Sequence, residues 1–211
     1  MKSIKLSSMQ KDALKEVGNI GAGNATASLA QLIDKQVMME VPSVQIVAIN
    51  DLMEIIGGPE KIIAAILFGI KGEVTGTVYF VLTIEEAEYL IRQMTMDASM
   101  TLDVNEEADE LAISTLQETA NILTGSYLSA LADLTKLNMT TTVPYLSIDM
   151  AAATLVTGLV ELSEITDYAI IIDAKITGNH SNESAKGHFL LIPDEDSIPI
   201  LFKSLGIEYG D

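Results

Sequence analysis

The chain has no cysteine and no tryptophan, and only two histidines. Without cysteine there is no disulfide, no thiolate nucleophile and no cysteine-based metal site. Positive charge is scarce as well: 12 Lys and Arg face 30 Asp and Glu, a formal net charge of −18. That deficit argues against nucleic acid as a partner, because neutralising phosphates takes clustered Lys and Arg. It argues equally against docking on an anionic membrane surface. Long apolar runs are missing, and no stretch reaches the roughly 18 residues expected of a membrane span. The opening MKSIKLSSMQKD contains no apolar h-region. No signal peptide and no membrane insertion are therefore expected, and the cytoplasm is the default location.

What is present is a repeat. Asp12-x3-Glu16-x2-Asn19 is followed, after 22 residues, by Pro42, and Ser114-x3-Glu118-x2-Asn121 is followed, after the same 22 residues, by Pro144. The copies are offset by 102 positions in a chain of 211. Flanking residues repeat in the same register: Leu14 and Leu116, Ile20 and Ile122, Gly23 and Gly125, Leu29 and Leu131, Ala30 and Ala132. Other positions have drifted, among them Lys15/Gln117, Ala13/Thr115 and Lys11/Ile113. A Glu and an Asn three residues apart on one solvated helix face usually carry no function. Their retention at both copies, together with the glycine and the proline, favours a functional reading.

Periodicity predicts a helix over about Met9 to Leu32, with Ser7 and Gln10 as a capping box. Its counterpart is predicted over about Val104 to Leu137, with Asp103 and Glu106 capping it. Each proline should mark the start of an extended segment, Ser43 to Asn50 and Tyr145 to Asp149. Strand pairs follow: Ile62 to Ile70 with Glu73 to Leu82, turning at Lys71-Gly72, and Tyr168 to Thr177 with Gly187 to Ile192. Each half closes with a helix, about Ile84 to Met94 and Asp194 to Leu205. An extra helix, without a counterpart in the first half, is expected near Met150 to Leu162. Residues 95–103 are polar and mark the junction. Hairpins imply antiparallel pairing, so the expected class is α+β. The expectation is a single domain over residues 1–211, built from homologous halves of about 1–100 and 101–211. These halves are related by a pseudo-two-fold, with long helices packed on an antiparallel β-sheet.

At about 100° per residue, Asp12, Glu16, Asn19 and Gly23 fall in one narrow stripe, as do Ser114, Glu118, Asn121 and Gly125. Leu14, Val17, Leu29, Leu116 and Leu131 lie off the stripe and can face the core. A carboxamide can hold and orient a water with one donor and one acceptor. That suffices where the bond to be broken is already activated, as in phosphoryl transfer, where catalysis is largely positioning and electrostatics. The Glu is better suited to engage a cation beside a phosphoryl group than the group itself. The glycine one turn on leaves backbone uncovered for close approach.

The doubled [Asp/Ser]-x3-Glu-x2-Asn-x22-Pro signature, in the contexts KEVGNIGAGNATASLAQL and QETANILTGSYLSALADL, resembles that of the CheC/CheX/FliY family of chemotaxis response-regulator phosphatases. The likeness spans essentially the whole chain. It implies hydrolysis of the aspartyl phosphate on the regulator CheY. Asn19 and Asn121 would orient the attacking water, and Glu16 and Glu118 would engage the regulator's active-site lysine. The implied magnesium (Mg2+) belongs to CheY, so no cofactor is expected on this chain. The resemblance also implies a partnership with the receptor deamidase CheD, whose contact is assigned to Asp149 to Leu162, and a monomer is expected. The competing readings are a non-catalytic adaptor that binds CheY or regulates CheD, and a structural subunit of the flagellar switch.

Other signals are weaker. His180 and His188 flank a hairpin turn, have no carboxylates nearby at ligand spacing, and read as loop and strand histidines. Gly18-x2-Gly21-x-Gly23 lies inside a helical pattern and lacks the Lys-Ser/Thr ending of a phosphate loop, so it reads as close helix packing or partner access. The scattered methionines read as core filler.

Overall fold

The structure, a computed structural model, describes residues 8–34, 36–102, 109–155, 168–178 and 183–206. The first half consists of α1 (Ser8–Ile33), β1 (Val37–Glu40), β2 (Val44–Ala48), a 3-10 turn (Ile49–Asp51) running into α2 (Leu52–Ile55), the hairpin β3 (Ile62–Gly72) and β4 (Gly76–Thr83), and α3 (Ile84–Thr95). The second half repeats the order with α4 (Glu110–Thr135), β5 (Met139–Thr141), β6 (Tyr145–Met150), a helical stretch at 151–155, the hairpin β7 (Tyr168–Gly178) and β8 (Ala185–Pro193), and α5 (Ser197–Ser204).

All strands join one antiparallel sheet in the order β1-β7-β8-β4-β3-β5, with β2 also on β7 and β6 also on β3. The two halves exchange their edges. Strands β1 and β2 from the first half pair with β7 of the second, and β5 and β6 pair with β3 of the first. Hairpin strands β4 and β8 meet in the middle, from Gly76 opposite Pro193 to Val81 opposite His188. Each proline explains why its edge is two short strands and not one. Pro42 separates β1 from β2, and Pro144 separates β5 from β6. A proline has no N–H to give the ladder, so pairing is interrupted there.

The sheet is covered on both sides, and strand alternation sorts its residues accordingly. Ala64, Ile66, Phe68, Val78, Phe80, Ile170, Phe189 and Leu191 face a core built with α1, α3, α4 and α5. Phe80 and Phe189 stack there at 4.4 Å between ring centroids. Ile63, Ala65, Val81, Ile171, Leu190 and Ile192 face the opposite side, under Leu52, Ile56, Ala151 and Leu155. Burial of the larger side chains on the first face, about 1.5–3 kcal/mol for each Val, Leu, Ile or Phe, is what holds the two long helices against the sheet.

Several expectations need correction. The second long helix begins at Glu110, not near Val104; its cap is Asp109, which accepts from the Leu111 amide at 2.8 Å. Asp103 and Glu106, like Ser7, lie outside the described residues. The first hairpin turns at residues 73–75 and not at Lys71-Gly72, because β3 runs through Gly72. Gly72 has φ +128°, and a Cβ there would sit 2.1 Å from the Asn138 carbonyl oxygen, so only glycine fits. The junction is not simply polar: Met100 and Leu102 are buried, and Arg92 Nε donates to the Met100 carbonyl at 2.8 Å. The helix near Met150 to Leu162 does have a counterpart. Residues 151–155 and α2 cover the same face of the sheet at matching places after β6 and β2. The rest of that segment lies outside the described residues.

Candidate functional site

Both stripes are on the outside of their helices. On α1, Asp12, Glu16, Asn19 and Gly23 are exposed, while Leu14, Val17 and Leu29 are buried. On α4, Ser114 and Glu118 are exposed and Asn121 and Gly125 are half-buried, while Leu116 and Leu131 are buried. The leucines anchor each helix by one side, and this fixes the Glu and Asn on the other. Neither Glu nor Asn side chain, in either copy, is engaged by a hydrogen bond or ion pair among the described residues. They are free to meet a partner. Ser114 differs in that its hydroxyl donates back to the Leu111 carbonyl at 3.1 Å.

The glycines divide by role. A Cβ on Gly23 or on Gly125 would meet nothing within 4 Å, so both stripes end in open, uncovered backbone. A Cβ on Gly21 would lie 2.7 Å from Tyr127 Cδ1 and 2.9 Å from its Cα. Gly21 therefore lets α4 approach α1 closely. A Cβ on Gly18 would lie 2.9 Å from Val41 Cγ1, so the backbone between Glu16 and Asn19 rests directly on the bend before Pro42.

Behind that bend is a polar cluster that the sequence did not reveal. The Ser43 hydroxyl donates to Asp173 Oδ2, the Asp173 amide donates to the Ser43 carbonyl at 3.0 Å, and His188 Nδ1 lies 2.8 Å from Asp173 Oδ1. This corrects the reading that His188 lacks a carboxylate neighbour. Its partner is 15 positions away, opposite it on β7, and only register brings them together. His180 lies outside the described residues. The hydrogen bond from His188 holds the Asp173 carboxyl below the usual carboxylate range; partial burial opposes this and the Ser43 hydroxyl assists. Asp173 thus contributes stability that is complete above its unfolded pKa and is lost as pH falls through its lowered native value.

Among the described residues no cluster of three or more His, Asp or Glu could hold a metal ion. No helix among them is long and apolar enough to cross a membrane. At each stripe a carboxylate and a carboxamide lie one turn apart on the outer face of the helix.

The duplicated helix-on-sheet fold is that of several flagellar and chemotaxis proteins. The structure of Thermotoga maritima FliY matches with a TM-score of 0.71 at 17% identity, covering 95% of this chain and 98% of that one. The CheX–CheY–BeF3–Mg2+ complex from Borrelia burgdorferi matches with a TM-score of 0.50 at 13% identity, covering 83% of this chain and 96% of that one. Both likenesses concern the fold. The sequence is more specific. The CheC-like family model matches twice, at residues 9–46 and 111–148, and these segments carry the two stripes and their prolines. The CheY-P phosphatase CheC of Bacillus subtilis (strain 168) is 39% identical over 197 residues, spanning 93% of this chain and 94% of that protein. The chain belongs to the CheC-like family.

Proposed function

We propose that this protein is a phosphatase of the phosphorylated response regulator CheY, with Asn19 and Asn121 each orienting an attacking water. The observation that carries the reading is the paired Glu and Asn, unengaged on two helix faces that each end in open glycine backbone. The similarity to a CheY-P phosphatase over nearly the whole chain supports it. In the reaction, the water oxygen forms a bond to phosphorus while the bond to the aspartyl carboxylate breaks. Inorganic phosphate leaves and the carboxylate is restored. The carboxamide fixes the line of attack without changing its own protonation, in keeping with a reaction in which positioning dominates. Glu16 and Glu118 engage the regulator's active-site lysine, an ion pair that strengthens as the docked surface excludes water. The Mg2+ belongs to the regulator, and this chain supplies no cofactor.

The protein works in the cytoplasm as a monomer and is stimulated by CheD. The CheD contact stays assigned to Asp149 to Leu162, although residues 151–155 of that segment match α2 of the first half and so do not by themselves set it apart. The test is phosphate release from Mg2+-bound phosphorylated CheY at catalytic amounts of the protein. Acceleration should fall with Asn19→Ala and with Asn121→Ala and vanish in the double variant. No acceleration by the unaltered protein, with or without CheD, would replace the enzyme by an adaptor.

A further inference from the structure

We propose that Asp173 is a positioning residue for the first site: through Ser43 it fixes the bend on which the Asn19-bearing turn of α1 rests. The proposal builds on the reading that Asn19 orients the attacking water.

The contact with α1 is direct. Val41 is 3% exposed, and its two methyls and Cβ lie 2.9–3.4 Å from where a Gly18 Cβ would be. No side chain separates the helix backbone from the bend, so a shift of the bend moves residues 16–19. Besides the burial of Val41 in the core, the bend gets no support from the strand ladders. Residues 41–43 lie between β1 and β2, outside both ladders, and Pro42 has no N–H to donate. Ser43 supplies the anchor through its carbonyl, which accepts from the Asp173 amide at 3.0 Å, and its hydroxyl, bonded to the Asp173 carboxylate. His188 Nδ1, 2.8 Å from the second carboxylate oxygen, faces an acceptor-only group and fixes its orientation.

The second half is built differently at the same places. Val44 lies opposite Ile172 and Leu146 opposite Ile66, so Asp173 corresponds to Leu67. Leu67 lies opposite Tyr79 as Asp173 lies opposite His188, and Ser43 corresponds to Tyr145. None of the three polar groups is repeated. There Thr142 holds the bend, its amide donating to the Gly69 carbonyl at 2.9 Å and its hydroxyl accepting from the Gly69 amide at 2.9 Å. Val143, the counterpart of Val41, is 85% exposed, so α4 does not rest on it. The cluster serves one site only.

Site selectivity is what a merely structural role would not produce, and it defines the experiment. Phosphate release from a Mg2+-bound phosphorylated response regulator is measured in an Asn121→Ala background, which reports the first site, and in an Asn19→Ala background, which reports the second. Asp173→Ala should lower kcat in the first background by about three- to tenfold with KM nearly unchanged, since the docking face is intact. Asp173→Asn, which keeps a carbonyl oxygen, should recover part of the loss, and Ser43→Ala should give a smaller loss than Asp173→Ala. The second background should be unaffected. Equal losses in both backgrounds, or none in the first, would overturn the proposal. Amide hydrogen exchange gives a readout that needs no activity. Exchange at residues 16–20 should quicken in Asp173→Ala relative to 118–122. If neither parent background accelerates release, the phosphatase reading has failed, and the exchange comparison alone decides the positioning role.

Discussion

The two stripes present the same face to solvent and are held from behind by different means. On α1 the backbone at Gly18 sits on a buried Val41, and the bend is tied to Asp173 and His188. On α4 the corresponding Ala120 is fully buried, Val143 points away from the core, and Thr142 ties the bend to the β3 backbone. The exchange is complementary. Where the helix lacks a methyl, the bend supplies one; where the helix has its own methyl, the valine is displaced into solvent. The outward Glu, Asn and glycine are thus the same in both halves, while the support behind them has more than one physical solution. It also follows that the two sites respond differently to substitutions that touch neither stripe.

The largest effect should come from the glycine that both sites share. Gly21 is where α1 and α4 meet, and an alanine methyl there would press on Tyr127, including its backbone Cα at 2.9 Å. Backbone cannot turn aside as a side chain can. Gly21→Ala should destabilise the protein toward the top of the roughly 1–3 kcal/mol range for overpacking, as read by urea denaturation. Because the helices lean on each other, both sites should lose activity together. An unchanged midpoint would mean that the helices are not in contact as described.

Gly18→Ala comes next and separates the halves. The clash is with the Val41 methyls, side-chain atoms that can swing outward as Val143 does, and the substitution gains helix propensity of about 0.5–1 kcal/mol. The net cost should lie near about 1 kcal/mol, with activity lost at the first site alone. The mirror change, Ala120→Gly, should cost about 1 kcal/mol by propensity and leave the first site untouched. Rates in the two single-asparagine backgrounds, with denaturation of each variant, test both statements.

How much of this was legible in the sequence follows from the range of each interaction. The stripes, the buried leucines and the open glycines are local facts of helical period, and the repeat made them readable. The hairpins were readable too, because strand, turn and strand are contiguous. The edge exchange was not, since β1 and β7 are joined only in three dimensions and β5 is merely three residues long. The Ser43–Asp173–His188 cluster was invisible for the same reason: 130 positions separate Ser43 from Asp173, and no spacing rule reaches so far. The boundary at Glu110 was misplaced because Asp103 and Asp109 are both capping residue types by sequence; the hydrogen bond from the Leu111 amide marks Asp109 as the cap.

The smallest effect on stability is also the one that best separates stability from function. At Gly23 and Gly125 an added methyl meets nothing within 4 Å, so alanine should fit without strain. Each substitution within a helix should raise stability by about 0.5–1 kcal/mol, through the chain entropy that glycine loses on folding. If the open backbone serves only the helix, activity should stay level. If it admits a partner's surface, each methyl should lower the rate at its own site while the denaturation midpoint rises. We expect the second outcome, with Gly125→Ala reducing release in the Asn19→Ala background and Gly23→Ala reducing it in the Asn121→Ala background. A loss in the opposite background would mean that the two stripes do not act separately, and the comparison of the halves would have to be redrawn around one shared surface.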